Sequence, residues 1–217
     1  MEFLDIHTHR SSQKSGFLSV QSLSLTDDVF LAMPKVKPIS VGLHPWYATL
    51  ANLETHMRYL KVVARQANVK LIGECGLDKL RGEDLPIQID ILTRQMHLAE
   101  EINKPIIIHC VKAFSELIAL KDKLKVKVPM IIHGFNKNQV LGEQLLNKGF
   151  WLSFGTGLLK ENSGAANLIT KTDCFFLETD DEQYDVEELY KYVASLKKCD
   201  VEVLKARIFA DWKKLTY

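Results

Sequence analysis

The 217-residue sequence predicts an α/β fold, a (β/α)8 barrel of the TIM type. Eight short runs with strand character recur along the chain, and from the third onward amphipathic helical segments separate them. The runs at 105–109 and 129–133 are apolar on both faces, which is typical of a parallel sheet covered by helices. Repeated strand–helix units of this kind indicate such a sheet.

The elements follow from apolar spacing. Strands are predicted near residues 3–9, 17–25, 38–43, 69–73, 105–109, 129–133, 150–154 and 174–179. Helices are predicted near residues 49–67, 86–103, 112–125, 137–148, 160–171, 185–197 and 200–215. Residues 10–37 leave no room for a full helix after the first strand and little after the second, so the barrel should be trimmed there. No linker or repeat interrupts the chain, so we expect one hydrolase domain over 1–217.

Composition limits the function classes. The net charge of +1 supplies no strong basic field, so contact with a nucleic acid would need a local patch or a bound metal ion. The four cysteines form no C-x-x-C pair, which favours reduced thiols in a cytoplasmic protein. No leader pattern and no apolar stretch of about 20 residues occurs, so no membrane contact is expected.

The first predicted strand carries a candidate metal site. Side chains alternate between the faces of a strand, so Asp5, His7 and His9 should share one face. Two imidazoles at this spacing can bind one ion, and imidazole suits Zn, Fe, Ni or Cu, or Mn when carboxylates are added. Asp5 is expected to orient one of the histidines rather than to bind the ion. A His-x-His pair is common by chance, so the interpretation depends on further ligands downstream.

Further metal-competent residues follow the other predicted strands. They are His44, Glu74, His109, His133 and Asp180. Barrel enzymes place their chemistry at the carboxyl ends of the strands, and this is where these residues should lie. Two other acidic residues have structural interpretations. Asp78 is a helix cap or a residue of the rim, with the cap favoured, and Glu178 is a buried hydrogen-bonding carboxylate.

Six segments carry a resemblance to a known family. They are Asp5-Ile-His-Thr-His9, Val41-Gly-Leu-His-Pro45, Ile72-Gly-Glu-Cys-Gly-Leu-Asp78, Pro105-Ile-Ile-Ile-His109, Ile131-Ile-His-Gly-Phe135 and Leu177-Glu-Thr-Asp180. In this order the chain resembles the TatD-type metal-dependent deoxyribonucleases of the amidohydrolase superfamily. The resemblance implies two divalent ions, which would be Mg, Mn or Zn. It implies that His7, His9 and Asp180 bind the first ion, that His109 and His133 bind the second, and that Glu74 bridges both.

The resemblance also implies how a substrate would be handled. The substrate would be the end of a DNA strand, or of RNA, and the reaction hydrolysis of a phosphodiester bond. Asp180 and Glu74 would be the catalytic carboxylates, with Asp180 as general base. His44 would contact a phosphate. Apart from the resemblance, Trp46 is a candidate to stack on a base or to pack at the rim.

Several positions depart from the family pattern. Cys110 and Val111 stand where Ser-Arg is usual, and Lys112 is the candidate replacement for the missing arginine in phosphate binding. The usual His-Cys-Phe-Ser-Gly stretch is here His133-Gly-Phe-Asn-Lys137, and Asp181-Glu182 stand where a proline is usual. Two alternatives therefore stay open: a hydrolase of another ester, an amide or a lactone, and a metal-binding barrel without activity.

Overall fold

A computed structural model describes residues 1–10 and 14–216. Strands and helices alternate along these residues. The strands are β1 (Phe3–Thr8), β2 (Phe17–Ser24), β3 (Ile39–Gly42), β4 (Val69–Asp78), β5 (Ile106–Val111), β6 (Met130–Ile132), β7 (Phe150–Phe154) and β8 (Phe175–Leu177). The α-helices are α1 (Asp27–Ala32), α2 (Leu53–Val63), α3 (Leu85–Ile102), α4 (Phe114–Leu124), α5 (Gln139–Asn147), α6 (Gly164–Ile169), α7 (Val186–Lys197) and α8 (Val201–Thr216). None of these described helices is long and apolar enough to cross a membrane.

The strands form one sheet in chain order, from β1 to β8. The pairs β1–β2, β3–β4, β4–β5 and β7–β8 are parallel. A parallel bridge between Thr8 and Asp180 places the end of β1 beside the chain that leaves β8. The predicted (β/α)8 fold of the TIM type is confirmed. Strand β1 ends at Thr8 and β2 begins at Phe17, and between β2 and β3 only the six-residue α1 is present. The predicted trimming is therefore present in the described part of 10–37; residues 11–13 lie outside the described residues.

One strand differs from the predictions, and one predicted connector contains a short helix. The connector after β2 contains α1, whose N-terminus is capped by the Thr26 hydroxyl accepting a hydrogen bond from the Val29 N–H. Strand β4 continues to Asp78 rather than ending near residue 73, because its second half pairs with β5 up to Val111. Gly76 permits this pairing, since a Cβ there would lie 1.8 Å from the His109 carbonyl oxygen.

The chain forms two compact units. The terminal unit comprises Met1–Gln21 with Ile131–Tyr217, and the central unit comprises Ser22–Met130. The core of the terminal unit contains the fully buried side chains of Leu4, Phe154 and Tyr190, and the Tyr190 hydroxyl donates to the Leu4 carbonyl oxygen at 3.0 Å. The expectation of one domain over 1–217 stays a prediction.

The central unit has an apolar core of its own. Fully buried side chains on β3 and β4 include Ile39, Leu71 and Ile72, and Leu60 of α2 and Leu92 of α3 are equally buried. Helix α2 contacts β3, and helix α3 contacts β4. Each helix turns one apolar face to its strand, as their spacing predicts. The core therefore fixes β4, the strand that carries two carboxylates of the central unit.

Lys104 supplies a prediction for the stability of the central unit. Its Nζ donates to the carbonyl oxygens of Ala64, Gln66 and Val69 at 2.5, 3.0 and 2.6 Å. Lys104→Met should lower the free energy of unfolding by about 1–3 kcal/mol at pH 7, because the three oxygens lose their donor. Urea denaturation measures the loss. Lys61→Met, at an exposed site on α2, is the matched control and should change little.

Lys104 also gives this prediction a pH dependence. Burial and the nearby Lys70 charge lower the pKa of Lys104 from 10.5 to about 8. Between about pH 8 and pH 10.5 the Lys104 side chain binds more protons in the unfolded chain than in the folded one. The free energy of unfolding of the wild-type protein should therefore rise with pH relative to that of Lys104→Met. Parallel stability curves for the two proteins from pH 7.5 to 9.5 would contradict it.

Candidate metal clusters

The terminal unit brings together two histidines and a carboxylate. His7 lies on β1, His133 directly follows β6, and Asp180 follows β8. One donor atom from each of these three side chains lies within 4.8 Å of the others. Asp180 Oδ1 is 3.4 Å from His7 Nε2 and 3.4 Å from His9 Nε2. This unit therefore unites four of the six predicted ligands around one carboxylate.

The Asp180 carboxylate is held in its charged form. Burial alone would raise its pKa, but hydrogen bonds from His7 and His9 and the nearby His133 outweigh burial, and the pKa lies well below its usual value. The residue has a φ of +54°, a left-handed conformation that aspartate and asparagine adopt more readily than most residues. Asp180 is thus an ionised acceptor at neutral pH.

Two buried carboxylates support this cluster. Asp5 accepts hydrogen bonds from the Thr179 N–H at 3.0 Å and from the Thr179 hydroxyl at 2.7 Å, so it fixes the residue before Asp180. Burial, more than any other cause, raises the pKa of Asp5 to about 7. Glu178 Oε1 accepts from the Gly134 N–H at 2.6 Å and lies 3.4 Å from His133 Nδ1. The buried hydrogen-bonding role predicted for Glu178 agrees with these contacts.

The central unit brings together a second set of two histidines and a carboxylate. Glu74 Oε1 lies 3.0 Å from His44 Nε2 and 2.9 Å from His109 Nδ1. All three side chains are buried, and one donor atom from each lies within 4.8 Å of the others. The sequence predicts His44 as a phosphate contact, whereas the structure also makes it a candidate ligand beside Glu74.

Asp78 belongs to the same cluster, and the prediction that it caps a helix is wrong, because Asp84 is the N-cap residue of α3. Its Oδ2 accepts from Trp46 Nε1 at 2.6 Å and lies 3.1 Å from His109 Nε2. Burial alone would raise the pKa of Asp78, but hydrogen bonds from Trp46, Leu80 and His109 lower it. A predicted strand that continued to residue 78 would have indicated this role. Side chains alternate along a strand, so Glu74 and Asp78, four residues apart, would then share one face.

The predicted substrate residues lie in the central unit. Trp46 is half-buried, with its indole N–H on Asp78, and the Arg81 guanidinium stacks over its ring at 3.7 Å. Lys112 is exposed and directly follows β5. Arg81 was not singled out in the sequence, because one arginine in a loop gives no periodic signal.

Both clusters fit a divalent ion by the chemistry of their donors. Each offers two imidazoles and one carboxylate from separate strands or strand ends, with donor atoms within 4.8 Å of one another. Imidazole with carboxylate suits Zn and Mn, and carboxylate suits Mg. A carboxylate near each imidazole ring would also orient the ring. The donor sets are therefore chemically adequate for the metals that the sequence predicts.

The fold and the two clusters define a class of protein. This class is the (β/α)8 barrels whose strand ends carry histidine and carboxylate clusters suited to a divalent ion. Comparison with known proteins identifies a family within this class. The family model described as TatD related DNase matches residues 8–216. The chain belongs to this family, as the resemblance in its six segments predicts.

Relatives agree with this assignment, and a solved structure agrees with the fold. A protein of Cronobacter sakazakii named 3'-5' ssDNA/RNA exonuclease TatD is 31% identical over 147 residues, which are 65% of this chain and 56% of the relative. The chain thus spans little more than half of that relative. An uncharacterized metal-dependent hydrolase of Methanocaldococcus jannaschii is 26% identical over 80% of this chain and 73% of its own. The crystal structure of a TatD homologue from Escherichia coli matches with a TM-score of 0.82 at 18% identity, covering 99% and 97% of the two chains.

Proposed function

We propose that this protein is a divalent-metal-dependent phosphodiesterase that removes nucleotides from the ends of single-stranded DNA or RNA. One observation carries the proposal: each unit contains two imidazoles and a carboxylate with converging donor atoms. Membership of the TatD family supports hydrolysis, and the name of the Cronobacter relative supports single-stranded nucleic acid as substrate.

The protein would use two divalent ions, Mg, Mn or Zn. His7, His9, His133 and Asp180 are the proposed ligands in the terminal unit, and Glu74 and His109, with His44 beside them, in the central unit. Bound divalent ions lower the pKa of water and polarise phosphoryl oxygens, which is the chemistry that phosphodiester hydrolysis needs. The bridging role predicted for Glu74 and the shared second ion predicted for His109 and His133 stay predictions.

The carboxylates would carry the proton transfers. Asp180 is ionised at neutral pH, which a general base requires, and it is the proposed acceptor of the proton of an attacking water. Thr179 is fixed by Asp5, which limits the movement of the adjacent Asp180. Glu74, at 2% exposure, is the second proposed catalytic carboxylate.

Residues of the central unit would bind the nucleic acid. His44 is the proposed phosphate contact, Trp46 the proposed stacking surface and Lys112 a proposed cation for the next phosphate. Arg81 adds a second cation, because stacking on the Trp46 ring leaves the edge of its guanidinium available to a phosphate. The local positive charge compensates for the near-zero net charge of the chain.

The decisive experiment incubates end-labelled single-stranded DNA with the protein and Mg²⁺ or Mn²⁺. We expect stepwise shortening from one end that stops with a chelator and is restored by added ion. His109→Ala should lower the rate about 100-fold or more. His97→Ala, on helix α3, is the matched control and should keep the rate. Unchanged cleavage after chelation, or by His109→Ala, would refute the proposal.

A second candidate is a hydrolase of another ester, an amide or a lactone. The exposed Asp181 beside Asp180 favours it, because negative charge opposes the approach of a polyanion. Folded, metal-loaded protein that leaves DNA and RNA intact but hydrolyses such a compound would support this candidate instead. Binding of metal without turnover of any of these substrates would support a barrel that lacks activity.

A further inference from the structure

Asp78 is the hub of a hydrogen-bond network in the central unit. Its Oδ2 accepts from Trp46 Nε1 at 2.6 Å and lies 3.1 Å from His109 Nε2, while its Oδ1 accepts from the Leu80 N–H at 2.8 Å. The side chain is buried, with 3% of its residue surface exposed. Two of these partners are obligate donors, so the carboxylate is arranged to accept hydrogen bonds.

The backbone around Asp78 is fixed independently of these side chains. Gln88 of α3 accepts from the Asp78 N–H at 2.7 Å and donates to the Asp78 carbonyl oxygen at 2.9 Å. The same amide donates to the carbonyl oxygens of Arg81 and Glu83 at 2.9 and 2.6 Å. Gln88 therefore holds β4 and the loop after it in one position, and the Asp78 carboxylate has little freedom to leave His109.

The two ring nitrogens of His109 face different carboxylates. Nε2 faces Asp78 at 3.1 Å, and Nδ1 faces Glu74 at 2.9 Å. A histidine that binds a metal ion presents one unprotonated nitrogen to the ion and donates the other N–H to a carboxylate or carbonyl oxygen. Only Nδ1 is turned to the candidate ligands Glu74 and His44, so Nε2 is the nitrogen that should keep its proton.

We infer that Asp78 is a positioning residue that keeps His109 protonated at Nε2 and so reserves Nδ1 for a metal ion, with Trp46 holding the Asp78 carboxylate in place. The inference rests on the proposed function for its metal ion, but not for its statement about the proton. It assigns Trp46 a role in addition to the stacking predicted from sequence.

The first test reads the proton directly. Nitrogen-15 NMR of the His109 ring in metal-free protein should show a slowly exchanging proton on Nε2, and Zn²⁺ should shift Nδ1 while this proton remains. Asp78→Asn places an amide donor beside the N–H groups of Trp46 and Leu80 and beside His109 Nε2. It should therefore abolish or shift the Nε2–H signal. Asp84→Asn, an exposed carboxylate of the same loop, is the matched control and should leave the spectrum unchanged.

The second test measures affinity for Zn²⁺ by competition with a chromophoric chelator. Asp78→Asn should weaken binding about 10- to 100-fold, as loss of such an orienting partner does. Trp46→Phe should have a smaller effect, and none in the Asp78→Asn background, because both changes act through one carboxylate. Excess metal should restore part of the hydrolytic activity of Asp78→Asn, whereas a misfolded variant would not recover.

The outcomes separate this inference from the proposed function. A proton found on Nδ1 in Zn²⁺-loaded wild-type protein, or an unchanged ring spectrum and Zn²⁺ affinity in Asp78→Asn, would overturn the inference. An intact ring signature and Zn²⁺ affinity without cleavage of any nucleic acid would contradict the proposed function alone.

Discussion

Asp180→Asn is expected to lower metal-dependent hydrolysis about 1,000-fold or more. The substitution removes the charge that His7 and His9 approach at 3.4 Å, and with it both a proposed metal ligand and the proposed general base. Asparagine matches the shape of aspartate and tolerates the φ of +54° at this position, so the fold should survive. Initial rates on end-labelled DNA, with the Mn²⁺ bound per chain measured by electron paramagnetic resonance, give the result.

Asp181→Asn is the matched control for this variant. Asp181 is exposed and adjacent, and its backbone oxygen, not its side chain, accepts the hydrogen bond from Arg10. Removal of its side-chain charge, which opposes a polyanion, should raise the rate by no more than about threefold. Circular dichroism and the urea midpoint check that both variants fold. An Asp180→Asn protein with wild-type rate and wild-type Mn²⁺ content would show that the terminal cluster does not bind the ion.

Glu74→Gln is expected to have an effect of similar size in the central unit. The carboxylate is buried and lies within 3.0 Å of a nitrogen on each of two imidazoles, so an amide there removes the negative charge that both rings face. We expect the rate to fall about 1,000-fold and at least one Mn²⁺ to be lost, because a neutral amide is a far weaker ligand for a divalent ion.

The control for Glu74→Gln is Glu161→Gln, which makes the same chemical change at an exposed position of the terminal unit. This control should keep both its rate and its Mn²⁺ content. If Glu74→Gln binds as much Mn²⁺ as wild-type protein and is nevertheless inactive, Glu74 acts on the substrate rather than on the ion. If it remains fully active, the central cluster has no part in the reaction.

Local patterns in the sequence were sufficient for the barrel and for most candidate ligands. Strand character, helical spacing and the position of a polar residue after an apolar run are properties of adjacent residues, so they can be counted directly. His7, His109, His133 and Asp180 were identified in this way, each at or near the end of a strand that the structure contains. The family followed from six such segments in order.

The tertiary structure decided which of these residues meet. His44 lies against Glu74 and Asp78 against His109, across separations of 30 and 31 residues, and Asp5 binds Thr179 across 174. The alternation of side chains within one strand sets the face on which each lies, but not the register between strands that brings two of them to the same height. The sequence by itself therefore determined the residue types of the candidate site. The pairing of β4 with β5 and the packing of α3 decided which carboxylate faces His109 Nε2, because they place Asp78 Oδ2 beside that nitrogen.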